Sequence, residues 1–407
     1  MDHYLAQAIE KALGWSGSDG LGAAFARGTV PDTDLCARML TPQKLLDVIM
    51  RRTVAPPQFR CFENGTELHP DAYLTQVVTR RSQVLPVANM DRLNQLIQSG
   101  CSLVLDSLDS FDPTMEIACR ALQWWSRELV QVNTYLTTND AAGFGLHWDD
   151  HDVVIVQIGG EKSWEVRAAS RPVPMYRDAE PNTVPPEEIV WSGTMRTGDV
   201  MHIPRGFWHQ ATRGDRGAGY SLHVTFGFVK RTGVDWMSWV ADRSREREPF
   251  RRDLHRWGTA ADRAKQEDEL VAGMAQLLAD YPTSAYLAAR ELERQPPRHV
   301  ATGAVFGPAQ TTVCVTDFPP RIEVRDQEVD VLAAGKKLTF AVRAEPALRL
   351  LLTGHPVDLA TVTAMTAIDA AVLAESLIKE GLCAELTEAL RSGYTDMIPT
   401  GTCSNMP

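Results

Sequence analysis

A chain of 407 residues, 44% hydrophobic and 23% charged, is long enough for two or three domains that bury cores without disulfide staples. Its formal net charge of −11 argues against whole-protein affinity for nucleic-acid phosphates or anionic membranes and would suit a basic peptide or protein partner. Seven cysteines without a CxxC pair fit reduced thiols better than a disulfide framework or zinc ribbon. The segment MDHYLAQAIEKALGW lacks the apolar stretch of a signal peptide, and no run of about 18 apolar residues occurs, so a cytoplasmic, non-membrane protein is expected.

In chain order, residues 1–50 read as helices: Leu5, Ile9 and Leu13 recur at helical spacing, and Thr41-Pro42 is a capped start. FRCFENGTELHP carries Asn64-Gly65 between short strands, a hairpin signal. SLVLDSL (102–108) is a strand candidate, followed by a helix through Met115, Ala118, Leu122 and Trp125. From 129 to 229 come short β-branched and aromatic runs separated by Gly, Pro, Asn or Asp, the text of a barrel or double-sheet jelly roll. The Pro-rich stretch 171–188 reads as a surface loop. Residues 230–296 return to helix, and their Arg-rich part, 243–256, carries enough Glu and Asp to be a solvated face rather than an RNA patch. Beyond Pro296-Pro297, the strands VCVT, RIEV and LTFAV precede two helical patterns, an order like a degenerate winged-helix unit without a basic recognition helix.

Two stretches carry the chemistry. GFGLHWDDHDVVIVQ sets His147 and Asp149 two residues apart before an apolar strand, so alternation turns both to one face. GDVMHIPRGFWHQA is a strand, a turn fixed by Pro204 and Gly206, and a strand that aims His209 into a barrel mouth. Two imidazoles and one carboxylate on one side leave three octahedral positions open, which suits Fe(II) with a cosubstrate and O2, whereas zinc favours a closed tetrahedral or cysteine set. His151 is a rival ligand, but four residues of extended chain span roughly 13 Å, too far to share an ion with His147. His223 is a candidate to support the ligands from behind. His202 reads as a core or surface residue.

From Val132 to Phe228 the sequence resembles the JmjC/cupin-4 oxygenases that include the ribosomal-protein hydroxylases. The matching text is NTYLTTNDAAGFGLHWDDHDVVIVQIGGEKSWEV, then GDVMHIPRGFWHQAT, then SLHVT. The resemblance implies a double-stranded β-helix core with flanking helices, Fe(II), 2-oxoglutarate and hydroxylation of a protein or peptide side chain. It places the iron on His147, Asp149 and His209, and 2-oxoglutarate on Lys162, Asn133, Tyr135 and Thr225, with no catalytic residue beyond the metal ligands. It divides the chain into an oxygenase domain (1–229), a helical, possibly dimerising segment (230–297) and a winged-helix-like domain (298–407). The acidic character and the helical 230–296 segment suggest a basic substrate, a ribosomal protein or a biosynthetic precursor peptide, and a homodimer. Departures from the pattern are Leu146 in place of a proline, Thr137-Thr138-Asn139 in place of a Pro-rich turn, and Gly227 where some members have a hydroxyl. Two other readings use the same residues: a cupin metalloenzyme without 2-oxoglutarate, and a non-catalytic cupin scaffold.

Overall fold

The computed structural model of the chain describes residues 3–175, 183–229, 231–303 and 305–397. The first part runs α1 (Tyr4–Leu13), β1 (Ala26–Thr29), α2 (Asp34–Met39), α3 (Pro42–Arg51), β2 (Phe59–Glu63), β3 (Thr66–Glu67), β4 (Leu74–Val78), β5 (Val84–Ala88), α4 (Met90–Ser99), β6 (Ser102–Leu105) and α5 (Pro113–Ser126). Six strands follow: β7 (Leu129–Thr138), β8 (Asp152–Ala169), β9 (Ile189–Arg196), β10 (Asp199–Ile203), β11 (Phe207–Thr212) and β12 (Tyr220–Val229). Helix starts follow local chemistry. Thr41 Oγ1 accepts the Lys44 N–H at 3.1 Å and Asp112 Oδ1 accepts that of Met115 at 2.9 Å, each beside a proline that has no N–H to orphan.

The main sheet is antiparallel, in the order β1-β10-β8-β12-β7-β6-β2-β3. Strand β8 joins it to a second layer: its first half pairs with β10 and β12, its second half with β9 and β11. The bend falls at Gly159-Gly160. Gly160 has φ +64°, and a Cβ there would lie 1.8 Å from the Tyr220 carbonyl oxygen, so only glycine lets β12 pass this close. The glycine pair therefore bends one continuous strand instead of ending it. Alternation sorts the side chains. Val154, Val156, Val224 and Phe226 pack outward against Leu5, Ile9, Leu35 and Met39, while Val153, Ile155, Trp164, Val166 and Met201 fill the space between the layers. Each such apolar side chain contributes about 1.5–3 kcal/mol when fully buried. This is the expected double-stranded β-helix with flanking helices. Sequence reading omitted β1 and the β4–β5 hairpin.

The helical segment holds α6 (Gly233–Ser244), α7 (Glu248–Arg251), α8 (Ala260–Asp280) and α9 (Thr283–Glu291). Its arginines meet acids on its own surface: Arg252 with Glu248 at 2.6 Å and Glu269 at 3.3 Å, Arg245 with Asp242 at 3.1 Å, and Arg247 with Asp280. Exposed pairs of this kind are worth little individually, which fits a solvated face.

The C-terminal part contains β13 (Thr311–Cys314), β14 (Arg321–Val324), β15 (Glu328–Ala333), β16 (Lys336–Ala341), α10 (Glu345–Leu351), β17 (Val357–Asp358), α11 (Leu359–Thr366), α12 (Ala370–Lys379), β18 (Cys383–Glu385) and α13 (Glu388–Asp396). Two three-stranded sheets, β17-β13-β18 and β14-β15-β16, pack with the helices around Leu348, Leu351, Val362 and Leu377. Trp124 of α5 enters this core and donates its indole N–H to the Thr316 carbonyl at 2.8 Å, docking the unit onto the barrel. Of the Pro-rich loop, residues 176–182 lie outside the described residues, as does Cys403. Among the described residues no helix is long and apolar enough to cross a membrane.

Candidate metal centre

His147 and His209 face each other across a two-way backbone pair. His147 N–H donates to the His209 carbonyl at 3.1 Å, and His209 N–H donates back at 2.7 Å. The turn before β11 does two jobs. Phe207 N–H closes it on the Pro204 carbonyl at 3.1 Å, and Gly206 (φ +85°) gives its N–H to the Asp149 carbonyl at 2.9 Å. One short turn thus launches His209 and tethers Asp149 beside it.

The ligand atoms of His147, Asp149 and His209 all lie within 4.8 Å of one another, and His209 Nε2 stands 3.6 Å from Asp149 Oδ2. His147 and Asp149 lie in the irregular segment ahead of β8 rather than on a regular strand, so backbone pairing with β11 aligns them. His147 Nδ1 donates to the Gly145 carbonyl (2.8 Å) and His209 Nδ1 to that of Phe207 (3.1 Å), the tautomer those acceptors select. Each ring therefore turns an Nε2 lone pair inward. Burial first, then the neighbouring His147, pushes His209 down to about 4, so its ring is neutral at physiological pH and able to donate to a metal. These donors fit a divalent iron with open positions.

Lys162, on the second half of β8, is 1% exposed and lines the same cavity. Its Nζ donates to Thr137 Oγ1 at 3.1 Å, leaving two of the three ammonium donors without a protein acceptor among the described residues. Burial, then the charge of Arg213, lowers its pKa to about 7. His223 Nδ1 and Trp164 Nε1 are also buried without a hydrogen-bond partner among the described residues, and both residues line the cavity. A pocket with a lone buried amine and orphaned polar atoms beside a metal-binding triad suits a carboxylate that also reaches the metal.

The register brings the other sequence candidates close. Tyr135 sits opposite His223 and stacks on it, with centroids 4.8 Å apart and planes 8° from parallel, and Asn133 sits opposite Thr225. Tyr135, His223 and Thr225 line the cavity. Asn133 shares their strand face, but its Oδ1 accepts the Ser107 N–H at 3.0 Å and it is not in the cavity wall. Burial, then the Asp106 charge, raises the Tyr135 hydroxyl, while burial, then Lys162, holds His223 far below the ordinary imidazole value.

His151 is not part of the triad. Its ring lies over Gly227, where a Cβ would come within 2.8 Å of it, so the missing hydroxyl at 227 is replaced by space for an imidazole. His202 is a packed core residue, held by the Ala24 carbonyl (2.8 Å) and the Gly22 N–H (3.1 Å). Sequence reasoning missed Thr137, which holds Lys162 and bonds Ser102 Oγ at 2.9 Å. Its signal was its place two residues beyond Tyr135 on the same face. Phe144 was also missed. It closes one side of the cavity against Phe62, Tyr135 and His147, with centroids 4.5, 5.8 and 6.2 Å away.

Residues 110–233 match the JmjC domain family. That stretch runs from the start of α5 through β12 and holds all three candidate ligands. The chain is 34% identical over 149 residues to the bifunctional lysine-specific demethylase and histidyl-hydroxylase NO66 of Caenorhabditis briggsae, covering 35% of this chain and 18% of that protein. It is 31% identical over 173 residues to ribosomal oxygenase 1 of Gallus gallus, covering 41% and 28%. The chain thus spans 18% to 28% of these relatives' lengths. In fold it is similar to Escherichia coli ycfD (TM-score 0.54, 16% identity, 90% of this chain and 96% of that one). It is also similar to the ribosomal oxygenase YcfD in complex with cobalt and 2-oxoglutarate (TM-score 0.51, 17% identity, 85% and 90%). The likeness extends well beyond the JmjC domain into the helical and C-terminal parts.

Proposed function

We propose that this protein is an Fe(II)- and 2-oxoglutarate-dependent oxygenase that hydroxylates a side chain of a protein or peptide. The observation that carries the reading is the convergence of His147, Asp149 and His209 on one point beside the buried, under-bonded Lys162. The family match and the cobalt and 2-oxoglutarate bound by YcfD support it.

The three ligands would hold iron, and Lys162 with the Thr137 hydroxyl would hold the distal carboxylate of 2-oxoglutarate. Together with O2, the bound iron and ketoacid supply the oxidising chemistry that converts a C–H bond into C–OH and releases succinate and CO2. The chain's own work is to bind and orient. The carbonyls of Gly145 and Phe207 fix the imidazole tautomers, while Tyr135, His223 and Thr225 shape the wall and Phe144 shields the cavity from water. We keep Asn133 as a support for this wall, acting through Tyr135 and Ser107.

The division at 229 and 297 and the winged-helix-like reading of 298–407 belong to the same proposal. So do a basic ribosomal or precursor-peptide substrate, a cytoplasmic location and a homodimer. Val234, Met237, Val271 and Leu287, exposed on α6, α8 and α9, favour the dimer. Sedimentation tests it. Anaerobic loading with Fe(II) and 2-oxoglutarate, then mass spectrometry of host peptides, tests the function: a peptide gains one oxygen with wild type and not with Asp149→Ala. Equal oxygen gain with both proteins overturns the reading.

A further inference from the structure

Between α5 and the C-terminal unit lies a cavity of about 280 Å³ that shares no wall residue with the metal-centre cavity. Five segments build it: α5, the linker at 294–301, residues 315–317 after β13, the β15–β16 turn and the end of α12. In a chain of net charge −11, its wall holds five Arg and Lys side chains against three carboxylates. Those carboxylates are engaged. Glu116 bonds Arg120 and, at 2.8 Å, His299 Nε2; Glu380 takes Lys336 at 2.8 Å; Asp317 accepts from Gln123 Nε2 at 3.2 Å. Arg298 reaches out of the cavity to Asp109. Arg294 and Lys379, both exposed and from separate segments, remain with no carboxylate at salt-bridge distance among the described residues.

We propose that this cavity is a binding site for a small oxyanion, a phosphate- or carboxylate-bearing metabolite gripped between Arg294 and Lys379. The modest volume suits a small molecule better than a polymer. Two cations from separate segments line one space, so an anion bridging them ties the linker to α12. Binding therefore clamps the C-terminal unit onto α5, and ligand-linked stabilisation reports it.

The test is thermal melting of the full chain, without metal, in titrations of sodium phosphate and of sodium succinate, each against sodium chloride at matched ionic strength. Wild type and the exposed double variant Arg294→Gln/Lys379→Gln are compared. Wild type is expected to show a saturable rise above chloride with at least one anion, and the variant an apparent Kd at least about tenfold weaker, the loss of about 1.4 kcal/mol. A response to phosphate alone assigns a phosphate ligand, and to succinate alone a carboxylate. Proteolysis within 294–301 is expected to slow with the anion in wild type only. Identical behaviour of the two proteins, including no response in either, overturns the proposal. An anion caught at Lys162 would shift both proteins equally, so failure here leaves the oxygenase reading intact.

Discussion

Replacing Lys162 by methionine separates the stability of the protein from its affinity for a cosubstrate, because the two are expected to move in opposite directions. The distance from the ordinary lysine value of 10.5 to about 7 in the fold corresponds to roughly 5 kcal/mol of disfavour toward the charged form. The sign follows from proton binding. Between about 7 and 10.5 the unfolded chain holds a proton that the folded chain lacks, so stability rises with pH across that window. Below about 7 the penalty is complete. Methionine keeps the stem and removes the amine, so the metal-free variant is expected to be more stable at pH 7, by up to a few kcal/mol in urea, and to lose the pH dependence between 7 and 10.5. Affinity for 2-oxoglutarate moves the other way. Losing one partner of a buried, hydrogen-bonded charge pair costs about 2–5 kcal/mol, a Kd weaker by roughly 30- to several thousand-fold. Calorimetry with Mn(II) under argon measures it, and two buffers of different ionisation enthalpy count protons. At pH 8 Lys162 is mostly neutral and must be protonated to hold a carboxylate, so wild type is expected to take up close to one proton per 2-oxoglutarate, and Lys162→Met none. A variant that binds 2-oxoglutarate within about threefold of wild type would refute the assignment of Lys162, whatever its stability.

Other perturbations probe the remaining parts. Asp149→Ala and His209→Ala are expected to lower Fe(II) affinity at least about 100-fold by metal analysis after anaerobic dialysis, whereas His151→Ala should retain the metal, since its ring rests on Gly227 outside the triad. Gly160→Val sets a side chain against the Tyr220 carbonyl in a left-handed position and is expected to cost about 3 kcal/mol or more, read by urea unfolding. Trp124→Ala removes both packing and a hydrogen bond from the docked C-terminal unit; a loss of about 3–5 kcal/mol and earlier proteolysis of 298–397 are expected, with the metal site unchanged.

The triad was legible because its geometry is local. His147 and Asp149 are two residues apart, and Pro204 and Gly206 shape the turn that delivers His209. The only non-local step is the backbone pair between His147 and His209, which the β-rich text between them makes natural. Period-two alternation likewise put Tyr135 on the face of His223 and Thr225. The β4–β5 hairpin was obscured because Val77, Val78, Val84 and Leu85 are all exposed, so the strands show no alternation between core and solvent.

Lys162 marks the boundary between what a sequence carries and what closure adds. Read alone, GGEKSWEV suits a hairpin with a solvated lysine, since a glycine pair commonly ends a strand. Its burial depends on β12 passing within contact of Gly160, which bends β8 into the second layer and carries Lys162 under Thr137 and Trp164. That approach joins residues sixty positions apart, and no property of either segment announces it. The same bend sets the amine in the metal ligands' cavity, because first-half residues Val153 and Ile155 and second-half residues Lys162 and Trp164 line one space. A metal triad without the bend would bind an ion at an open mouth. With the bend, the triad shares one cavity with a buried amine that has no acidic partner among the described residues, and that pairing points to a dicarboxylic cosubstrate rather than to metal binding alone.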